Sequence, residues 1–180
     1  MAVIAIQSCL AIDDGIYAIS LDAHSLLSVQ EARFGIPARL EPPQVPNLLQ
    51  RWQVVNDLAQ GTIVIRHAGT GLYLAPSDPA EKQDRDAILL SKNRFDWRLI
   101  PKQDGGPYYI ERADTQAGER ALVFGRSPNR MNPPGVETQV LQPYNPAQEW
   151  TFMPLHFFYR EELREHCGPW RLQRESFYLQ

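Results

Sequence analysis

"YNPAQEWTFMP", residues 144–154, is the stretch whose reading decides the fold. A proline and a polar pair lead into Trp150, a short apolar run follows, and Pro154 closes it. A tryptophan so placed is either a binding aromatic or one copy of an element used several times. The second alternative requires further copies, and the chain offers them: "QRWQVV" (50–55) around Trp52 and "FDWRLI" (95–100) around Trp97. The three tryptophans lie 45 and 53 residues apart.

Between them the chain offers short runs of strand-like alternation bounded by Gly, Pro, Asp and Asn. "GIYAISL" (15–21), "SLLSVQ" (25–30) and "RWQVVN" (51–56) form a first group. "GTIVIRHAG" (61–69), "GLYLAP" (71–76), "AILLS" (87–91) and "FDWRLIP" (95–101) form a second. "YYIERAD" (108–114), "ALVFGR" (121–126), "TQVLQPY" (138–144) and "EWTFMP" (149–154) form a third. Each group opens on an aromatic or aliphatic residue paired with an isoleucine, namely Tyr17–Ile19, Ile63–Ile65 and Tyr109–Ile110, and closes on its tryptophan. A period of about 40–50 residues with four strands per unit marks a closed β array, and three units are too few for a propeller.

The expectation is therefore an all-β chain, a β-trefoil of three four-stranded units related by a pseudo-threefold axis. One unit alone leaves unpaired edges and an apolar face; three units pair the inner edges and bury one shared core. Trp52, Trp97 and Trp150 are then structural core residues filling the barrel, each contributing a few kcal/mol at roughly 25 cal/mol per Å² of buried area. All three should be buried. Residues 1–155 are read as the β-trefoil domain and 156–180 as a C-terminal extension.

Composition fits one soluble globular domain: 180 residues, 43% hydrophobic and 22% charged. A net charge of −3 supplies no basic footprint for nucleic acid. Neither a membrane-spanning run nor a signal peptide with a basic start is seen, which points to the cytoplasm. The two cysteines, Cys9 and Cys167, make neither a disulfide framework nor a metal-ligand spacing, and free thiols are the reading preferred over a bridge joining the termini. No HxxxH or HxH pair occurs among His24, His67, His156 and His166. With no GxSxG, HExxH or glycine-rich phosphate loop, no enzyme is expected, and no cofactor or metal.

On such a scaffold function belongs to the loops. Residues 31–50 carry four prolines, residues 126–137 carry three, and residues 77–86 are highly charged and read as a solvated hairpin tip. Proline lowers the entropy a loop loses on binding. Arg33 beside Phe34 in the first loop, and Arg130 beside Met131 in the third, are candidate protease-binding pairs, a basic residue on a stiff loop suiting the acidic specificity pocket of a trypsin-like protease.

"DGIYAISL", the proline-rich lead into "RWQVVN", "GTIVIRHAGTGLYLAP", "YYIERAD" and "QPYNPAQEWTFMP" together resemble the β-trefoil serine protease inhibitors of mushrooms, the cospin and cnispin family, over roughly residues 12–155. The resemblance implies a fungal protein blocking a serine protease by insertion of a proline-stiffened loop, with the loop around Arg33 as one inhibitory position. A second position of that family, before the last strand, here reads "YNPAQ" and holds no Lys or Arg. The alternative is a glycan-binding protein: "QRW" (50–52) and "QEW" (148–150) are similar to the QxW signature of ricin-type lectins, with Asp22 and Asp114 as candidate sugar-binding carboxylates, though no aromatic accompanies either. A third reading is a small-molecule enzyme with its pocket between barrel and extension.

The extension, "HFFYREELREHCGPWRLQRESFYLQ" (156–180), pairs helical spacing with many aromatics and stops at Gly168–Pro169. It is expected to pack on the barrel, or on a partner copy as a homodimer contact.

Overall fold

The computed structural model describes residues 12–44, 47–102 and 106–155. The extension and both cysteines lie outside them. The first unit holds β1 (Gly15–Asp22), β2 (Ser25–Val29), β3 (Ala38–Glu41) and β4 (Trp52–Asp57). The second holds β5 (Thr62–His67), β6 (Tyr73–Pro76), β7 (Ile88–Ser91) and β8 (Trp97–Pro101). The third holds β9 (Tyr108–Arg112), β10 (Leu122–Arg126), β11 (Val136–Val140) and β12 (Thr151–Pro154).

The outer strands of each unit close the barrel. β1 pairs β4, β4 pairs β5, β5 pairs β8, β8 pairs β9, and β12 returns to β1, all antiparallel. The seam between β9 and β12 is made just ahead of β12, where the Tyr108 and Trp150 backbones exchange bonds of 2.8 and 2.9 Å. The inner pairs, β2–β3, β6–β7 and β10–β11, are hairpins. They meet through one bridge per pair of units: Pro37 with Leu89, Arg39 with Gly135, and Ala87 with Glu137. This is the three-unit β-trefoil, with its inner strand edges paired.

The repeat is physical as well as topological. Trp52, Trp97 and Trp150 are all 0% exposed, and each indole N–H donates to the second strand of its own unit: to Leu27 O at 2.9 Å, Leu74 O at 3.0 Å and Phe124 O at 3.1 Å. A buried indole needs such an acceptor. Ile19, Ile65 and Ile110 form the matching aliphatic layer, also at 0% exposure. The residue two positions ahead of each isoleucine, Tyr17, Ile63 or Tyr108, joins the same core. The third copy is thus Tyr108–Ile110, not Tyr109–Ile110, because side chains two apart share a strand face and adjacent ones do not.

Units one and three share a further device. Short 3₁₀ turns at Leu48–Gln50 and Pro146–Gln148, capped by Asn47 and Asn145, aim Gln50 and Gln148 inward. Gln50 accepts from Gln44 N and donates to Pro42 O; Gln148 accepts from Gln142 N and donates to Val140 O. The glutamine of QxW therefore pins the preceding loop to the barrel. In unit two Phe95 takes that place and packs on Trp97 instead, with ring centroids 4.6 Å apart.

Two expectations about loops change. Residues 31–50 are not one loop, because β3 lies within them and only its alternate residues Ala38 and Leu40 are buried. The charged segment 77–86 has an exposed surface, yet it is strapped onto unit three. Arg85 N donates to Thr138 O at 2.7 Å, Thr138 Oγ1 to Gln83 O at 2.8 Å, and Val140 N to Asp84 Oδ1 at 3.2 Å.

Candidate functional site

The carboxylates suggested for sugar binding are engaged elsewhere. Asp22 accepts from His24 N at 2.8 Å and Ser25 Oγ at 3.2 Å, which holds the β1–β2 turn. Asp114 sits in the fork of Arg112, at 3.0 and 2.8 Å. Burial pushes the Asp114 carboxyl up, but the Arg112 guanidinium outweighs it and holds the group below its usual value. Arg112 is itself 0% exposed and donates to Pro79 O and Glu81 O, so the cluster fastens the 77–86 segment to the barrel.

Arg33 and Phe34 lie in the β2–β3 hairpin loop. Gly35, at φ +82°, turns the chain there and donates to Leu90 O at 2.8 Å, which seats the loop on β7. Phe34 is 59% exposed with Lys92 Nζ 5.4 Å from its ring centre, and Arg33 Nε lies 2.7 Å from Glu31. The loop is well anchored, but its arginine already has a carboxylate beside it.

Arg130 and Met131 belong to the β10–β11 loop, and there the structure forms an open groove of about 740 Å³. One wall is Arg126 to Asn132 with Pro134; the other comes from Asp84 and Arg85 of the strapped segment. The floor is Gln139, Val140, Gln142, Asn145 and Ala147. The structure does not bring the two predicted pairs together: Arg130 and Met131 line the groove, whereas Arg33 and Phe34 do not.

The groove's polar side chains divide into two sets. Gln139 and Asn145 are committed internally: Gln139 donates to Arg126 O at 2.8 Å and accepts from Gln148 at 3.2 Å, and Asn145 caps Ala147 N at 3.0 Å. Gly125 permits this, since a Cβ there would run into the Gln139 amide. Asn129, Asn132, Arg85, Arg126 and Arg130 have no side-chain hydrogen bond or ion pair among the described residues. These amides and guanidiniums sit beside the apolar Pro128, Met131 and Pro134. Such a mixture of directional donors and acceptors with flat apolar surface suits a polyhydroxylated ligand. Among the described lining residues there is one hydroxyl side chain, Ser127, and no histidine.

Sequence reasoning found Arg130 and Met131 but missed Arg85 and Arg126. Arg85 stands in a segment that reads as a solvated tip, and only the tertiary strap carries it to the groove. Arg126 ends a strand, where an exposed arginine carries no local signal.

Comparison with known proteins supports the fold. The Rhizoctonia solani agglutinin superposes with a TM-score of 0.66 at 17% identity, covering 79% of this chain and 96% of that one. The designed three-fold symmetric protein ThreeFoil gives 0.62 at 19% identity, covering 79% of this chain and 100% of that one. The Macrolepiota procera ricin B-like lectin, solved in complex with lactose, gives 0.62 at 14% identity, covering 79% and 97%. No protein-family model matches the chain, and no curated protein does.

Proposed function

We propose that this chain is a carbohydrate-binding protein that holds glycans in the groove between the β10–β11 loop and the segment 84–85. One observation carries the reading: unpaired amide and guanidinium side chains converge with apolar surface on a rigid trefoil frame. Likeness to an agglutinin and to a lactose-bound ricin B-like lectin supports it. Binding needs no cofactor, and we assign the chain no catalytic step.

The test is retention on a glycan array and titration calorimetry, with Asn129→Ala/Asn132→Ala as the variant. Retained glycans lost by the double variant, with the unfolding midpoint unchanged, support the site. If no glycan is retained by the wild type, the reading fails.

The protease-inhibitor reading is second, favoured by the exposure of Phe34 (59%) and Met131 (67%) on hairpin loops. It predicts stoichiometric loss of trypsin activity that disappears in Arg33→Glu/Arg130→Glu. An inhibitory double variant would remove those residues from the proposal.

A further inference from the structure

Charge pairing across the described surface is uneven. Arg33 faces Glu31, Arg39 faces Glu41, Arg94 faces Asp57 and Asp96, and Arg98 faces Glu111. Lys82, Lys102 and Arg112 likewise have Glu119, Glu149 and Asp114. The chain carries a net charge of −3, so carboxylates are in surplus. Even so, Arg85, Arg126 and Arg130 line one groove without a carboxylate partner among the described residues. The one acidic lining residue, Asp84, accepts from Val140 N at 3.2 Å.

Backbone geometry adds an independent sign. Arg85 has φ +68°, a left-handed conformation that residues other than glycine, asparagine and aspartate rarely adopt. Its N–H to Thr138 O bond, at 2.7 Å, and the neighbouring Asp86 N to Thr138 Oγ1 bond, at 3.1 Å, keep it there. Holding a long cation in an unfavourable conformation, in one groove with two other arginines, points to a ligand that repays both.

We infer that the groove selects acidic sugars, binding the carboxylate or sulfate of an anionic oligosaccharide through Arg85, Arg126 and Arg130. All three are arginines, whose planar fork matches a carboxylate or sulfate in two parallel bonds as a lysine does not. Asn129 and Asn132 are left to bind neutral hydroxyls. The inference rests on the glycan-binding reading and adds the charge class of the ligand.

The experiment is calorimetric titration of the full chain with 3′-sialyllactose, with 6-sulfated lactose, with lactose itself and with hexaglutamate, at low and at high salt. The first two probes separate carboxylate from sulfate recognition. The expected result is at least tenfold tighter binding of one or both acidic sugars than of lactose, reduced at high salt because the groove is open to solvent. Arg126→Gln/Arg130→Gln should remove that preference, bringing the acidic sugars down to the affinity the same variant shows for lactose. The control Arg33→Gln/Lys92→Gln, with the same change in net charge, should keep it. Equal affinity for lactose and the acidic sugars would overturn the acidic preference and leave glycan binding standing. Equal losses in variant and control would reduce the effect to overall charge and overturn it too. Binding of hexaglutamate with no sugar bound would overturn both readings.

Discussion

Replacing Gln148 by Met tests whether the QxW glutamine is a strut or a ligand group. Gln148 is 0% exposed, and its amide serves two backbone partners, Gln142 N at 2.8 Å and Val140 O at 3.0 Å. Methionine fills nearly the same length but can serve neither. An orphaned buried backbone group costs about 1–3 kcal/mol, and both partners here are only part-buried, so about 1.5 kcal/mol each is appropriate. Burying apolar side chain in place of the amide returns about 1 kcal/mol. The net loss is about 2 kcal/mol, a fall in Tm of about 7 °C for a domain of this size. Gln50→Met should cost a similar amount, since Gln50 makes the same two bonds to Gln44 N and Pro42 O. The two share no partner, so the double variant should lose the sum within about 0.5 kcal/mol. Exposed Gln60→Met is the control and should stay within about 0.5 kcal/mol of wild type. Thermal and urea unfolding followed by tryptophan fluorescence reads all four. A Gln148→Met protein of wild-type stability would refute the strut.

His67 makes stability depend on pH. It is 2% exposed; its Nε2 donates to Leu48 O at 3.1 Å, since a carbonyl can only accept, and Nδ1 therefore accepts from Thr70 Oγ1 at 3.1 Å. Burial pushes its pKa below 6.5, outweighing the bond to Leu48. The unfolded chain thus binds this proton more readily, so the urea midpoint should be highest above pH 6.5 and fall as pH drops through that value; in His67→Gln the fall should be shallower. Arg112→Met should cost about 3 kcal/mol by orphaning Pro79 O, Glu81 O and Asp114, and should expose the 77–86 segment to limited proteolysis; unchanged cleavage would show that the strap holds without it. Gly125→Ala should displace Gln139 from its bonds to Arg126 O and Gln148, costing about 1 kcal/mol but weakening glycan retention, because the groove floor shifts.

How much of this was legible in the sequence follows from the range of each interaction. The three tryptophans, the isoleucine two residues past each strand's first core position, and the two QxW glutamines announce a threefold β array because strand periodicity and repeat spacing are written along the chain. Even there the third copy slipped by one residue, since "YYI" offers two tyrosines and only the one two positions ahead of Ile110 shares its strand face. β3 stayed hidden because four residues between proline-rich flanks are too few to show alternation.

The groove was half legible. Arg130 and Met131 stand out in a stiff loop of their own unit, so local composition finds them. Arg85 lies 45 positions earlier, in another unit, and reaches the same groove only because Thr138 and Arg112 bind the backbone of its segment. The sequence by itself determined the fold, since burial and alternation are properties of each strand. Which charges remain unpaired was decided by tertiary structure alone: a salt bridge depends on where two side chains arrive in space, and no local pattern distinguishes Arg94, held between two aspartates, from Arg126, left facing the groove.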